Sequence, residues 1–175
     1  MQRLLTISAV IAAVLVPLHA QSKPITKQAE RGKELFLKSP KGEACGTCHT
    51  MAGVGTNIGP DLKVLASVVP PRGIVAAIRM TMAERVQEIQ TAGGKFPGLQ
   101  KQKQGDEIEI WDLGKNPPEL RKFASKDVLS MTRNEKWKHP PASAGYTSQE
   151  LADIIGFLKW AAAGQTHEIK AEEIE

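Results

Sequence analysis

The chain has 175 residues, 41% of them hydrophobic and 24% charged, an ordinary globular composition that excludes a disordered chain and predicts one compact domain. Two cysteines are too few for a disulfide-stapled scaffold, and no apolar run reaches the ~20 residues of a membrane-spanning helix. The net charge of +4 is mild, and neither a long Lys/Arg block nor a Gly-rich phosphate loop accompanies it, so nucleic acid is not an expected partner. Aromatics make up only 5% of the chain, which leaves an unaided core thin and predicts that something other than side chains helps to fill it.

Residues 1–20 begin with Arg3, run uncharged from Leu4 to Leu18 and end at Ala20 before the polar stretch Gln21-Ser22-Lys23-Pro24. This pattern reads as a cleavable signal peptide, which predicts a periplasmic mature chain of residues 21–175 that does not span the membrane. An uncleaved anchor is the alternative. No cysteine lies near the junction, which argues against a lipid-anchored product.

Residues 45–49 read Cys45-Gly46-Thr47-Cys48-His49. In an exported chain this CxxCH spacing is the attachment signature of a c-type haem. Two thiols two residues apart can each form a thioether with one haem vinyl group, and the adjacent imidazole becomes the proximal iron ligand. A disulfide, a thioredoxin-like redox pair and half of a zinc site are the competing readings. The zinc site would need a second ligand pair, and the redox pair would need flanking strands where helical patterns are seen.

Around that motif, residues 29–62 (AERGKELFLKSPKGEACGTCHTMAGVGTNIGPDL) resemble the N-terminal half of a class I bacterial cytochrome c. The resemblance implies that Pro60, in Gly59-Pro60-Asp61-Leu62, offers its carbonyl to the proximal imidazole N–H, a bond that would fix the ring of His49. It also implies that Gly32 and Phe36 lie on an N-terminal helix that meets the final helix. Leu35, Ile58, Leu62, Val64 and Leu65 are candidates for an apolar haem wall, and each could equally be plain core.

Further along, Pro70-Pro71 opens a run with Ile74, Val75, Ile78, Met82, Val86 and Ile89 at spacings of three and four, and Gly93-Gly94 closes it; one long helix is predicted. Met80 and Met82 on it are expected in core or surface positions and not on the iron. Residues 95–130 then change character. Phe96-Pro97-Gly98-Leu99, the alternating segment Glu107 to Leu113, and Leu120 with Phe123 are separated by Gly105-Asp106 and by Gly114 to Pro118, which predicts short strands joined by turns. The stretch resembles the small β insertion of the haem-binding-domain cytochromes associated with periplasmic dehydrogenases.

Thr147-Ser148-Gln149-Glu150 is a capping box, and Leu151, Ile154, Ile155 and Leu158 follow at helical spacing up to Gly164. The ending resembles the same family, with Phe157 at the packing aromatic. The resemblance also implies a distal ligand in the loop ahead of this helix, normally Met followed by Pro. Here His139-Pro140 stands in that place, twelve residues before Leu151, and the nearby methionine is Met131, followed by Thr132. His139 is therefore the expected distal ligand, with Met131 the alternative and an open or water-ligated iron the third reading. His167, beyond the helix, is expected in an exposed tail.

The combined expectation is a mainly α, class I cytochrome c fold in one domain, with a small β-strand insertion between the central helix and the distal-ligand loop. It would carry one covalently attached haem c, held by Cys45, Cys48, His49, Pro60 and His139. As a monomer and not an enzyme, it would pass single electrons between protein partners such as a periplasmic dehydrogenase or a respiratory oxidase. A haem-based sensor or peroxidase-like domain with an open distal site is the alternative. Across residues 121–138, Arg121, Lys122, Lys126, Arg133, Lys136 and Lys138 outnumber Asp127 and Glu135, which reads either as a solvated charged face or as a patch that steers an acidic partner.

Overall fold

Two separate apolar clusters organise the chain, one among helices and one inside a sheet. The computed structural model describes residues 23–39, 42–80, 85–140 and 145–175; the expected signal peptide, Met82 and Pro141 lie outside them.

The helical cluster is built on α1 (Lys27–Leu37) and α4 (Ser148–Ala163). Helix α1 starts where the Thr26 hydroxyl accepts the Ala29 N–H at 3.1 Å, and α4 starts at the predicted capping box, with Thr147 and Glu150 each accepting the other's backbone N–H. The two cross at Gly32, where any Cβ would collide with the Asp153 carbonyl, so that only glycine lets the backbones meet. One turn later Phe36 and Phe157 pack with ring centroids 5.5 Å apart.

Helix α4 is buried on every side from Leu151 to Lys159, because α1, α2 (Lys63–Val68), α3 (Pro71–Arg79) and the C-terminal tail surround it. Its two buried charges are satisfied. Asp153 accepts two bonds from the Arg31 guanidinium, at 2.8 and 3.0 Å, and Lys159 donates to the Val69 carbonyl at 2.6 Å, where α2 ends. The side chain of Gln28 donates to the Ile169 carbonyl and accepts the Ile169 N–H, which holds the tail against α1 while Ile169 and Ile174 enter the core. His167 is exposed, as expected of that tail.

The sheet comprises β3 (Gln87–Thr91), β4 (Gly94–Gln104), β5 (Glu107–Asp112), β6 (Glu119–Ala124) and β7 (Val128–Arg133), following a two-residue hairpin of β1 (Thr50–Met51) and β2 (Val54–Gly55) beside the CxxCH loop. Its order is β6-β5-β4-β3-β7, antiparallel throughout. A single 3-10 turn, Ser125–Asp127, joins β6 to β7 although they form opposite edges. In a flat sheet those edges would be at least roughly 19 Å apart, whereas the connection reaches about 14 Å, so the sheet coils on itself. Ile89, Ile108 and Ile110 fill the inside with Phe96, Phe123, Val128 and Met131.

The mainly α expectation is corrected by this sheet: only 36% of the described chain is helical, and seven strands are present. The predicted long helix ends at Arg79. Val86 is buried just ahead of β3, and Ile89 sits at the centre of that strand, paired with Phe96 and Met131. Their three- and four-residue spacing from Ile78 is accidental, and the Gly93-Gly94 pair turns a hairpin instead of closing a helix. The strands expected within 95–130 are β4, β5 and β6; β3 and β7 extend the sheet to residues 87–133.

Candidate functional site

The CxxCH residues lie on one 3-10 turn, Cys45–Thr47, directly against the end of α1, where Gly46 packs on Phe36 and Leu37. The chain then wraps around them. The Gly46 carbonyl accepts the Thr56 N–H at 2.9 Å, and the Cys48 carbonyl accepts both Ile58 N–H at 3.0 Å and Gly59 N–H at 2.7 Å. This wrap brings the Pro60 carbonyl to 2.7 Å from His49 Nδ1. Nδ1 must carry the proton in that bond, which leaves the Nε2 lone pair free to ligate. Gly59 lies flat on the imidazole; a Cβ there would be 2.7 Å from Cε1.

The Gly-Pro-Asp-Leu segment is anchored by its acid. The Thr50 hydroxyl donates to Asp61 at 2.7 Å and the Lys63 N–H to its other oxygen at 2.7 Å, and these bonds hold the Asp61 carboxyl below its usual range. A third bond, from Leu62 N–H to the Thr50 carbonyl, ties the segment to the residue after His49.

The second histidine arrives from the sheet. Strand β7 ends at Arg133, the Asn134 N–H bonds to the Val86 carbonyl at 2.9 Å, and the Asn134 side chain accepts the N–H groups of Lys136 and Trp137 at 3.1 and 2.9 Å. This turn sets the Trp137 ring edge-on to His139, with centroids 6.3 Å apart and planes at 85°. The His139 ring in turn faces His49 at 5.9 Å, with the planes 33° apart. Its Nδ1 lies 2.7 Å from the Pro140 carbonyl, so its Nε2 is also available.

The two imidazoles, with the Cys45 and Cys48 thiols within one turn of His49, form a donor set whose chemistry could hold a covalently attached haem. Burial pushes both thiols up, Cys48 to about 11, the reverse of the depressed value that activates a thiol–disulfide pair. Burial also lowers His49, against the Pro60 hydrogen bond, and so favours the neutral imidazole that ligates. Among the described residues no group of three His, Cys, Asp or Glu side chains gathers as a bare metal ion would require.

No protein-family model matches this chain, and no curated protein matches it.

Of the sequence-selected residues, Cys45, Cys48, His49, Pro60 and His139 converge on one locus. Met131 does not: it pairs with Ile89 in the sheet and packs in the sheet's apolar cluster. Leu35, Ile58, Leu62 and Leu65 are half-buried, whereas Val64 is 73% exposed. Sequence reasoning missed Asn134 and Trp137. The Asn-x-x-Trp stretch after a β run was the available signal, since Asn side chains commonly accept backbone N–H groups just downstream.

Charge in 121–138 is distributed unevenly. Arg121 is held by Asp112 at 3.0 Å and stacks over Phe96 and Phe123, and Lys122 pairs with Glu107 and Glu109.

Proposed function

We propose that this protein is a c-type cytochrome that carries single electrons between protein partners in the periplasm, with one haem bound through thioethers to Cys45 and Cys48. The observation that carries the reading is the pairing of His49 with His139 beside the two cysteines, ring centroids 5.9 Å apart, two imidazoles that could hold one iron. Haem supplies a one-electron iron couple whose potential depends on its axial ligands and on burial. The residues of this chain do the rest. Pro60 orients the proximal imidazole, Gly59 gives it room, and the Asn134 turn with Trp137 orients the distal one. With both imidazoles holding the iron, two strong nitrogen donors would favour the ferric state over a His/Met pair and would leave no open position for substrate chemistry. The periplasmic address rests on the leader-like residues 1–20.

The test is expression with a haem-attachment system, followed by acid–acetone extraction and a potentiometric titration. One haem that stays with the protein and titrates as a reversible one-electron couple supports the proposal. Extractable haem, or rapid carbon monoxide binding to the reduced protein, would return the site to a ligand-binding or peroxidase-like role.

A further inference from the structure

Between the CxxCH wrap and the sheet lies a recess of about 350 Å³ lined by Ile58, Arg85, Gln87, Leu99, Gln100 and Arg133. Its floor is apolar at Ile58 and Leu99, and among the described lining residues the charged ones are the two arginines. Both arginines are exposed, and neither forms an ion pair among the described residues. Elsewhere on the sheet, several cations are paired, Lys95 with Glu88, Lys101 and Lys122 with Glu109, and Arg121 with Asp112, whereas Lys103 on β4 forms no ion pair among the described residues. Lys136 and Lys138, on the segment leading to His139, are likewise exposed and unpaired among the described residues, against the single acid Glu135. Four unpaired cations, Arg85, Arg133, Lys136 and Lys138, thus lie at the recess or on the segment that leads from β7 to His139.

That location is chemically specific. Ile58 donates its N–H to the Cys48 carbonyl, so the recess adjoins the cysteine that would anchor one haem vinyl edge. Gln87 and Arg133 are register partners on β3 and β7, which makes the sheet a rigid mount for the Arg133 side of the recess. Guanidinium groups recognise carboxylates by paired N–H donors, and clustered cations raise association rates with acidic surfaces.

We infer that Arg85 and Arg133 form the docking point for an acidic face of a redox-partner protein, seating its carboxylates beside the thioether edge. This inference rests on the electron-transfer reading above and adds to it where the partner binds and what charge it carries.

The experiment uses the haem-loaded full chain with a decaglutamate peptide as the acidic probe, and hexacyanoferrate(III) as an anionic oxidant followed by stopped flow. For the wild type, oxidation should be fast at low salt and slowed by the peptide, with both effects fading as ionic strength rises. The Arg85→Gln, Arg133→Gln pair should lower the low-salt oxidation rate about tenfold and abolish inhibition by the peptide. The control pair Lys103→Gln, Lys115→Gln, with the same change in net charge, should leave both intact. Peptide inhibition retained in the arginine variant overturns the assignment, as does an equal loss in the lysine control. Inhibition by inorganic phosphate at matched ionic strength equal to that by the peptide also overturns it, because the recess would then hold only a small anion. A reversible couple in every variant keeps these outcomes separate from failure of the electron-transfer reading, in which no such couple would be seen.

Discussion

His49 and His139, separated by 90 positions in sequence, face each other across 5.9 Å with ring planes only 33° apart. Met131, the other distal candidate, pairs with Ile89 inside the coiled sheet. His139→Ala should therefore give a high-spin iron that binds carbon monoxide. Met131→Ala should keep the low-spin spectrum and midpoint while costing about 2 kcal/mol of stability through the cavity left in the sheet. His139→Met, which restores the commoner ligand type, should raise the midpoint by on the order of 0.1 V. A wild-type spectrum with the long-wavelength band of Met–iron ligation would oppose the bis-His assignment directly.

Among the described residues Trp137 meets the site through His139, so it is a positioning residue. Its edge-on contact should contribute about 1 kcal/mol to holding the distal imidazole. Trp137→Leu is expected to raise the rate of carbon monoxide binding to reduced protein several-fold, while Trp137→Phe restores most of the difference. Thermal melting checks the alternative: a variant that loses stability but gains no ligand access would mean that Trp137 merely packs.

Legibility in the sequence followed the range of each signal. CxxCH and the Thr147 capping box depend on residues whose spacing alone constrains their geometry, whereas the Gly32/Phe36/Phe157 contact was legible only through the family resemblance. The boundary between α3 and β3 was not, because Ile78, Val86 and Ile89 happen to fall at helical spacing and the long-range partners that decide the matter, Phe96 and Met131, are invisible to a local pattern. Charge in 121–138 has the same long-range dependence: Arg121 and Lys122 are neutralised by Asp112, Glu107 and Glu109 of the neighbouring strand, whereas Arg85, distant in sequence, joins Arg133 at the recess.

Gly32 should be intolerant of even one methyl. Because its missing Cβ is occupied by the Asp153 carbonyl and approached by Phe157 Cβ at 2.9 Å, Gly32→Ala must push α1 away from α4. A loss of about 3 kcal/mol is expected, measurable by urea denaturation of the haem-loaded protein. Gly59→Ala provides a contrasting case. Its Cβ would strike the His49 ring, so the expected result is a shifted midpoint and altered low-spin spectrum accompanying a smaller stability loss.

The Asp153 carboxyl gives the helical core its acid sensitivity. Burial by itself would raise its pKa, but hydrogen bonds from Arg31, Gln149 and Gln28 outweigh that and hold it below the ordinary carboxylate value. A depressed folded pKa means that the stabilisation is fully present above the unfolded value near 4 and is lost as pH falls through the folded one. Asp153→Asn should therefore cost about 2 kcal/mol at neutral pH, and its deficit relative to wild type should shrink below pH ~4. Gln28 connects this carboxylate to the tail through Ile169, so the variant should also expose the tail. Faster hydrogen exchange at the Ile169 amide is the accompanying signature. A deficit that stays constant from neutral to acid pH would assign the loss to altered packing and remove the titration argument.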